Sequence, residues 1–344
     1  MCKTSRILAL LAGISFLAAG SSNKSDRLAN VNAEIRASSQ VRFWRDPTEI
    51  ATRNLLYGPG GPEHAPHGNF VFEEEDLAGS SPKFTVRDEN GIKWKAKLGA
   101  EARPETVASR LVWAVGYCTN EDYFLPIARI SSLPARLHRG QKFADSDGTV
   151  HDVRLKRYLK GEKKIGNWDW EYGPFAGTRE LNGLRTLMAV INNWDLKDVN
   201  NAIYQVKHDG ESGNALQIYM ISDLGASFGT TGLNRTHEIS KGNLKSYSHS
   251  DFIKRIGPDT VDFAAPSREA LVGIVDPKEF ARRLRLEWIG RNIPRADAKW
   301  MGQLLARLPP QQIRDAFRAA AYSPEEVEEF AAIVEERIGE LQKL

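Results

Sequence analysis

Cysteine is nearly absent: the 344 residues hold two, Cys2 and Cys118, beside seven histidines. Nowhere do these fall at zinc-ligand spacing, and one or two thiols cannot build a disulfide framework, which excludes a small disulfide-stapled scaffold and a structural zinc domain. An excess of charge of one sign is also lacking, with 47 Lys and Arg against 44 Asp and Glu, so nothing argues for a nucleic-acid partner. Long apolar runs are missing except for Ile7–Ala19, which is too short to span a bilayer comfortably. That run follows Lys3 and Arg6 and precedes the small residues Gly20-Ser21-Ser22, the layout of a cleaved export signal of bacterial style. Ser21 stands where a lipoprotein would carry its lipidated Cys, so a lipid anchor is not expected. The chain is therefore expected to be exported, periplasmic or secreted, with no transmembrane span in its mature form and Cys118 as its remaining thiol, a buried small hydrophobe.

What is present concentrates in Asn192-Asn193-Trp194-Asp195-Leu196-Lys197-Asp198-Val199-Asn200-Asn201 and in Ser222-Asp223-Leu224-Gly225. An Asp five residues ahead of an Asn, followed by a second Asp before a small-residue turn, supplies one base and two sets of hard oxygen ligands of the kind Mg²⁺ takes. Each motif by itself also fits an ordinary turn. Their order and flanking elements favour chemistry: Arg179–Ile191 has the spacing of a core-facing helix before the first, and Ala202–Val206 and Leu216–Ile221 read as strands before the second.

Upstream, Phe84–Arg87 and Ile92–Leu98 alternate with period two around Asp88-Glu89-Asn90-Gly91, whose Asn-Gly is a strong hairpin signal. On the second strand Ile92, Trp94, Ala96 and Leu98 share one face, and Lys93, Lys95 and Lys97 share the other, which a sheet with a solvated face explains. Gly79-Ser80-Ser81-Pro82 precedes the hairpin as a small-residue loop, and no Gly-Lys-Ser/Thr follows to make it a Walker loop. Pro104 to Gly116 reads as a helix with Glu105 in its first turn.

Together these stretches resemble the atypical kinase-like fold shared by phosphatidylinositol 4-kinases, HipA-type kinases and secretory-pathway kinases. The resemblance rests on the Gly/Ser loop, the Trp94-x-x-Lys97 strand, Glu105-x-x-Ala108-x-x-Leu111 ending in Gly116, the Asp195–Asn200 motif and Asp223-Leu224-Gly225, and it spans roughly residues 70 to 263. It implies an α+β, two-lobed fold with a small sheet-rich lobe and a mostly helical one. It implies ATP and Mg²⁺ as cofactors and a protein, sugar or lipid acceptor. Asp195 takes the catalytic role, Lys97 and Glu105 bind nucleotide with Ser80 and Ser81 (Glu101 in reserve for Glu105), and Asn200 and Asp223 hold metal. Asn193 in place of the usual His, and the long gap from Asn200 to Asp223, depart from ordinary protein kinases.

The expected organisation is a signal peptide over 1–22, a disordered leader over 23–40, a nucleotide-binding lobe over 41–135, a lobe with the catalytic-type loops over 136–265, and a helical extension over 266–344. Arg154–Lys164 reads as a solvated basic turn. Trp168, Trp170 and Tyr172 fit either a core cover or a groove. The segment from Gly229 to Lys245 reads as a flexible loop, and Ser323-Pro324-Glu325-Glu326 as a helix start. A non-catalytic pseudokinase that binds another protein, and an AMP transferase on the same fold, remain open beside the kinase.

Overall fold

The computed structural model describes residues 30–36, 38, 40–79, 81–193, 195–206, 215–230, 240–264, 281 and 284–344. The expected signal segment and Ser80 lie outside them. Residues 30–36, inside the leader expected to be disordered, are helical: Ile35 packs on the core of the larger lobe and Arg36 donates to the Pro174 carbonyl.

After the short strand β1 (Val41–Arg42), five strands close a barrel: β2 (Phe70–Asp76), β3 (Lys83–Asp88), β4 (Lys93–Leu98), β5 (Asp122–Ser131) and β6 (Thr149–Arg157), in the order β2-β3-β4-β6-β5. Closure leaves no open edge on this small sheet. The hairpin between β3 and β4 turns where Asn90-Gly91 predicts. Gly91 takes φ +75°, and Asp88 accepts from the backbone N–H of Asn90 and Ile92 and, at 2.8 Å, from the Trp94 indole. Phe84, Val86, Trp94, Ala96 and Leu155 fill the interior. Of the outward lysines, Lys93 and Lys95 stay half-exposed as the alternation predicts, but the Lys97 side chain is only 5% exposed because helix α1 (Ala102–Ala114) lies over that end of β4.

The solvated-turn reading of Arg154–Lys164 fails for its first part. Arg154 sits inside β6 and is buried, since β6 is flanked by β4 and β5 and its outer face meets α1. The barrel therefore runs to Arg157, past residue 135.

The other lobe carries a four-stranded sheet, β1-β9-β8-β7, from β7 (Glu162–Gly166), β8 (Asn201–Val206) and β9 (Leu216–Ile221). Around it lie helices α2 (Arg179–Val190), α3 (Leu244–Ser248), α4 (Arg295–Leu305), α5 (Pro310–Arg318) and α6 (Pro324–Gln342). A three-stranded sheet of β10 (Ile253–Ile256), β11 (Thr260–Phe263) and β12 (Ile293–Pro294) completes it. The chain is thus an α+β, two-lobed fold, with a barrel lobe and a larger lobe dominated by helices.

Local chemistry sets the helix ends. Thr178 accepts from the Leu181 N–H at the start of α2, and Ser323 with Glu326 forms a complete capping box at α6. Phe330, Val334, Ile338 and Leu341 bury the inner face of α6. From the same helix Arg337 reaches the carbonyls of Ala189 and Val190, and Tyr247 also donates to Val190 at 2.6 Å. The C-terminus of α2 is thereby tied down where the chain enters Asn192–Asn201. Trp168 and Trp170 belong to the core, with the Trp168 indole donating to the Met220 carbonyl, while Tyr172 is exposed. Among the described residues no helix is long and apolar enough to cross a membrane.

Candidate active site

Two neighbouring elements, β4 and the start of α1, and one segment 126 residues away meet at Lys97. Its Nζ donates to Glu105 Oε2 at 2.9 Å and to Asp223 Oδ1 at 2.7 Å, and it also pairs with Glu101. Geometry follows from the elements: Lys97 is the last residue but one of β4, a tight turn begins α1, and Glu105 in the first turn of α1 faces back over the strand. Asp223 arrives on the segment leaving β9, with φ +52°, a left-handed conformation that Asp tolerates better than most residues. Leu224, the next residue, is buried in the core of the larger lobe and anchors the turn.

Electrostatics decide the protonation states. Burial disfavours the Lys97 ammonium, but the carboxylates of Glu105, Asp223 and Glu101 together outweigh it and hold its pKa above the ordinary lysine value. Burial likewise opposes the charged forms of Asp223 and Glu101, and in both the adjacent Lys97 wins, so both carboxyls titrate below their usual range; Lys241 adds to the effect on Glu101. Glu105 is almost fully buried, and that burial pushes its carboxyl up against the pull of Arg154 and Lys97. Arg154 lies 2.8 Å from Oε1 and Lys97 2.9 Å from Oε2, so each carboxylate oxygen faces one cation.

Arg154 and Asp122 were not legible as site residues. Arg154 bridges Glu105 to Asp122 at 3.0 Å and so fixes the carboxylate that fixes Lys97. A Val-Arg-Leu alternation at 153–155 was the available signal for a strand, masked by the basic residues after it.

Glu101, the reserve for Glu105, turns out to be a separate partner of Lys97. It immediately precedes α1 and accepts from the Ser81 hydroxyl at 2.9 Å, from Lys97 and from Lys241. Gly225 packs against it so closely that a Cβ there would fall 2.6 Å from the Glu101 Cβ. Ser81 is therefore at the site, while Ser80 is outside the described residues.

The second motif forms its own hydrogen-bonded loop. Lys197 Nζ lies 2.7 Å from Asp195 Oδ1, the Asp195 N–H donates to Asn193 Oδ1 at 3.0 Å, and Asn200 Nδ2 donates to the Asp195 carbonyl at 2.6 Å. Asn193 is buried and braces the loop. The loop is tied to the segment after Asp223 by the Phe228 N–H donating to the Ile191 carbonyl at 2.8 Å, and by Asn192 donating to the Gly229 carbonyl. In the β8–β9 ladder Asn201 pairs with Ile221, so Asn200 enters and Ser222-Asp223 leave at the same end of that hairpin. A long hairpin thus separates Asn200 and Asp223 in sequence without separating their strand ends.

The donors suit a hard divalent cation. Glu101, Glu105 and Asp223 have carboxylate oxygens within 4.8 Å of one another. Glu105 already gives both oxygens to cations, which leaves Asp223, whose side chain is 48% exposed, as the carboxylate with free capacity. The amide nitrogen of Asn200 is committed to the Asp195 carbonyl, so only its oxygen could serve as a ligand atom. Oxygen donors of this kind suit Mg²⁺ or Mn²⁺ rather than zinc.

No protein-family model matches the sequence, and no curated protein matches it. Among solved structures the chain is similar to the Helicobacter pylori proinflammatory kinase CtkA, with 11% identity, 78% of this chain and 95% of that chain covered, and a TM-score of 0.40. It is also similar to the Golgi casein kinase with Mn/ADP bound, with 9% identity, 81% and 72% covered, and a TM-score of 0.40.

Proposed function

We propose that the chain is an exported atypical kinase that transfers the γ-phosphate of Mg-ATP to a hydroxyl of a protein, sugar or lipid acceptor. The observation that carries this reading is the convergence on one ammonium of Glu105 from the helix after the Lys97 strand and of Asp223 from the far side of the chain, at 2.9 and 2.7 Å. In it, Lys97 holds nucleotide phosphate oxygens, and Glu105, braced by Arg154, holds Lys97. Asp223 and Asn200 are the metal ligands. The divalent ion would supply charge neutralisation of the phosphates. Asp195, its carboxylate oriented by Lys197, accepts a hydrogen bond from the acceptor hydroxyl and directs it. Export rests on Lys3, Arg6 and the Ile7–Ala19 run.

The test is calorimetric titration of the wild type and of Asp223→Asn with ATP, with and without Mg²⁺. Wild type should bind ATP in a Mg²⁺-dependent manner, and the variant should lose roughly tenfold or more of that affinity, the scale of one charge-assisted contact. A correctly folded wild type that binds no ATP would remove the enzyme reading and leave a protein-binding module. With ATP labelled in turn at the γ- and α-phosphates, transfer of γ-label alone is expected; adducts carrying AMP would make it a nucleotidyl transferase.

A further inference from the structure

Lys97 has three N–H donors. All three are engaged, by Glu105, Asp223 and Glu101. An incoming phosphate reaches this ammonium only by displacing one of them. Glu105 is the hardest to move, being nearly fully buried, inside a helix and held on its other oxygen by Arg154. Asp223 is the carboxylate with capacity for a metal. Glu101 is different: it precedes the helix, and its two oxygens take the Ser81 hydroxyl, Lys97 and Lys241. Those donors, an O–H and two ammonium groups gathered on one anion, are of the kind that bind an anionic phosphoryl group.

Lys241 is brought there by structure. Beyond Gly225 the chain pairs with itself, the Gly242 N–H donating to the Ser227 carbonyl at 2.9 Å and the Ser240 N–H to the Thr230 carbonyl at 3.1 Å. Gly242, at φ +58°, has no room for a Cβ between the Tyr322 hydroxyl at 2.4 Å and Pro104 at 3.1 Å, so the backbone passes directly against the start of α1. This returns Lys241 to Glu101, across 140 residues of sequence.

We infer that Glu101 occupies the place of a nucleotide phosphoryl group, and that when nucleotide binds, Glu101 yields and Lys241 together with Ser81 becomes a ligand of that phosphate. This rests on the nucleotide reading above. It makes Lys241, in the segment after Asp223-Leu224-Gly225, a second phosphate-binding lysine, and Glu101 an internal competitor that lowers nucleotide affinity.

The experiment uses the full chain with ATP and AMP, each with Mg²⁺. Glu101→Gln, whose neutral amide cannot hold two ammonium groups, should bind ATP about tenfold more tightly than wild type. Lys241→Ala should bind ATP about tenfold more weakly with AMP affinity unchanged, and Lys241→Arg should restore ATP binding. A second readout needs no turnover: acylation of the Lys241 amine, followed by mass spectrometry. It should be slow in wild type, faster in Glu101→Gln than in wild type, and slowed again in Glu101→Gln with ATP. Loss of Mg-ATP binding in Glu101→Gln would overturn the inference by making Glu101 a metal ligand. Wild-type ATP affinity in Lys241→Ala, or no ATP protection of Lys241 in Glu101→Gln, would overturn it too. These comparisons are made within a wild type that binds ATP through Asp223, so their failure leaves the kinase reading standing, whereas absence of wild-type binding defeats both.

Discussion

Lys97→Met removes the ammonium and keeps most of the stem. It leaves the carboxylates of Glu101, Glu105 and Asp223 within 4.8 Å of one another without their shared cation. Breaking a buried ion pair by deleting one partner costs about 3–5 kcal/mol. Here Glu105 retains Arg154 on its other oxygen and Glu101 retains Lys241, so each is half-compensated. Asp223 is half-exposed, and water screens its share. The low end, about 3 kcal/mol at pH 7, is therefore expected. The pH dependence is more diagnostic than the size. In wild type, Asp223 and Glu101 have carboxyl pKa values held below the unfolded range. Their contribution is present above about pH 4 and is lost as pH falls through the depressed folded values. Without Lys97 the three carboxylates face one another partly buried, their pKa values rise above the unfolded ones, and protonation becomes stabilising. Denaturant unfolding followed by tryptophan fluorescence at several pH values reads this directly. Between pH 7 and pH 5 Lys97→Met should gain more stability than wild type as pH falls, because all three carboxyls are then raised rather than Glu105 alone. A variant within about 1 kcal/mol of wild type, with the same pH profile, would refute the closed cluster.

Two further outcomes test the frame around the site. Ser323→Ala removes the capping box of α6 and should cost about 1 kcal/mol in unfolding free energy, with ATP affinity unchanged by calorimetry. Cys118 is half-buried, with its thiol pushed up to about 11 by burial, so at pH 8 alkylation by iodoacetamide should run roughly a hundredfold slower than for a free thiol. Mass spectrometry should show the rate recovering in denaturant, and fast labelling of the folded chain would contradict the packing around Tyr117 and Thr119.

Much of the frame was legible because its causes are local. Asn90-Gly91 turns a hairpin wherever two alternating strands flank it, since few other residue pairs accept the backbone it requires. Ser323-Pro324 with Glu326 starts a helix by satisfying its own first N–H groups. The strand before Asp223 and the helix before Asn192 follow from spacing alone. A Cβ alternation also puts Lys97 on the same face as Lys93 and Lys95, yet it cannot say that a helix will cover one lysine of the three. The sequence by itself thus determined the elements, their order, and the residue types able to hold phosphate and metal. Tertiary structure decided the rest: that Lys97 is buried, that Arg154 braces Glu105 from inside a strand, and that Lys241, 140 residues further along, meets the same Glu101 carboxylate that Lys97 does. Periodicity and capping act within a few residues, whereas the charge on a buried group is settled by whichever chain segments the fold packs against it.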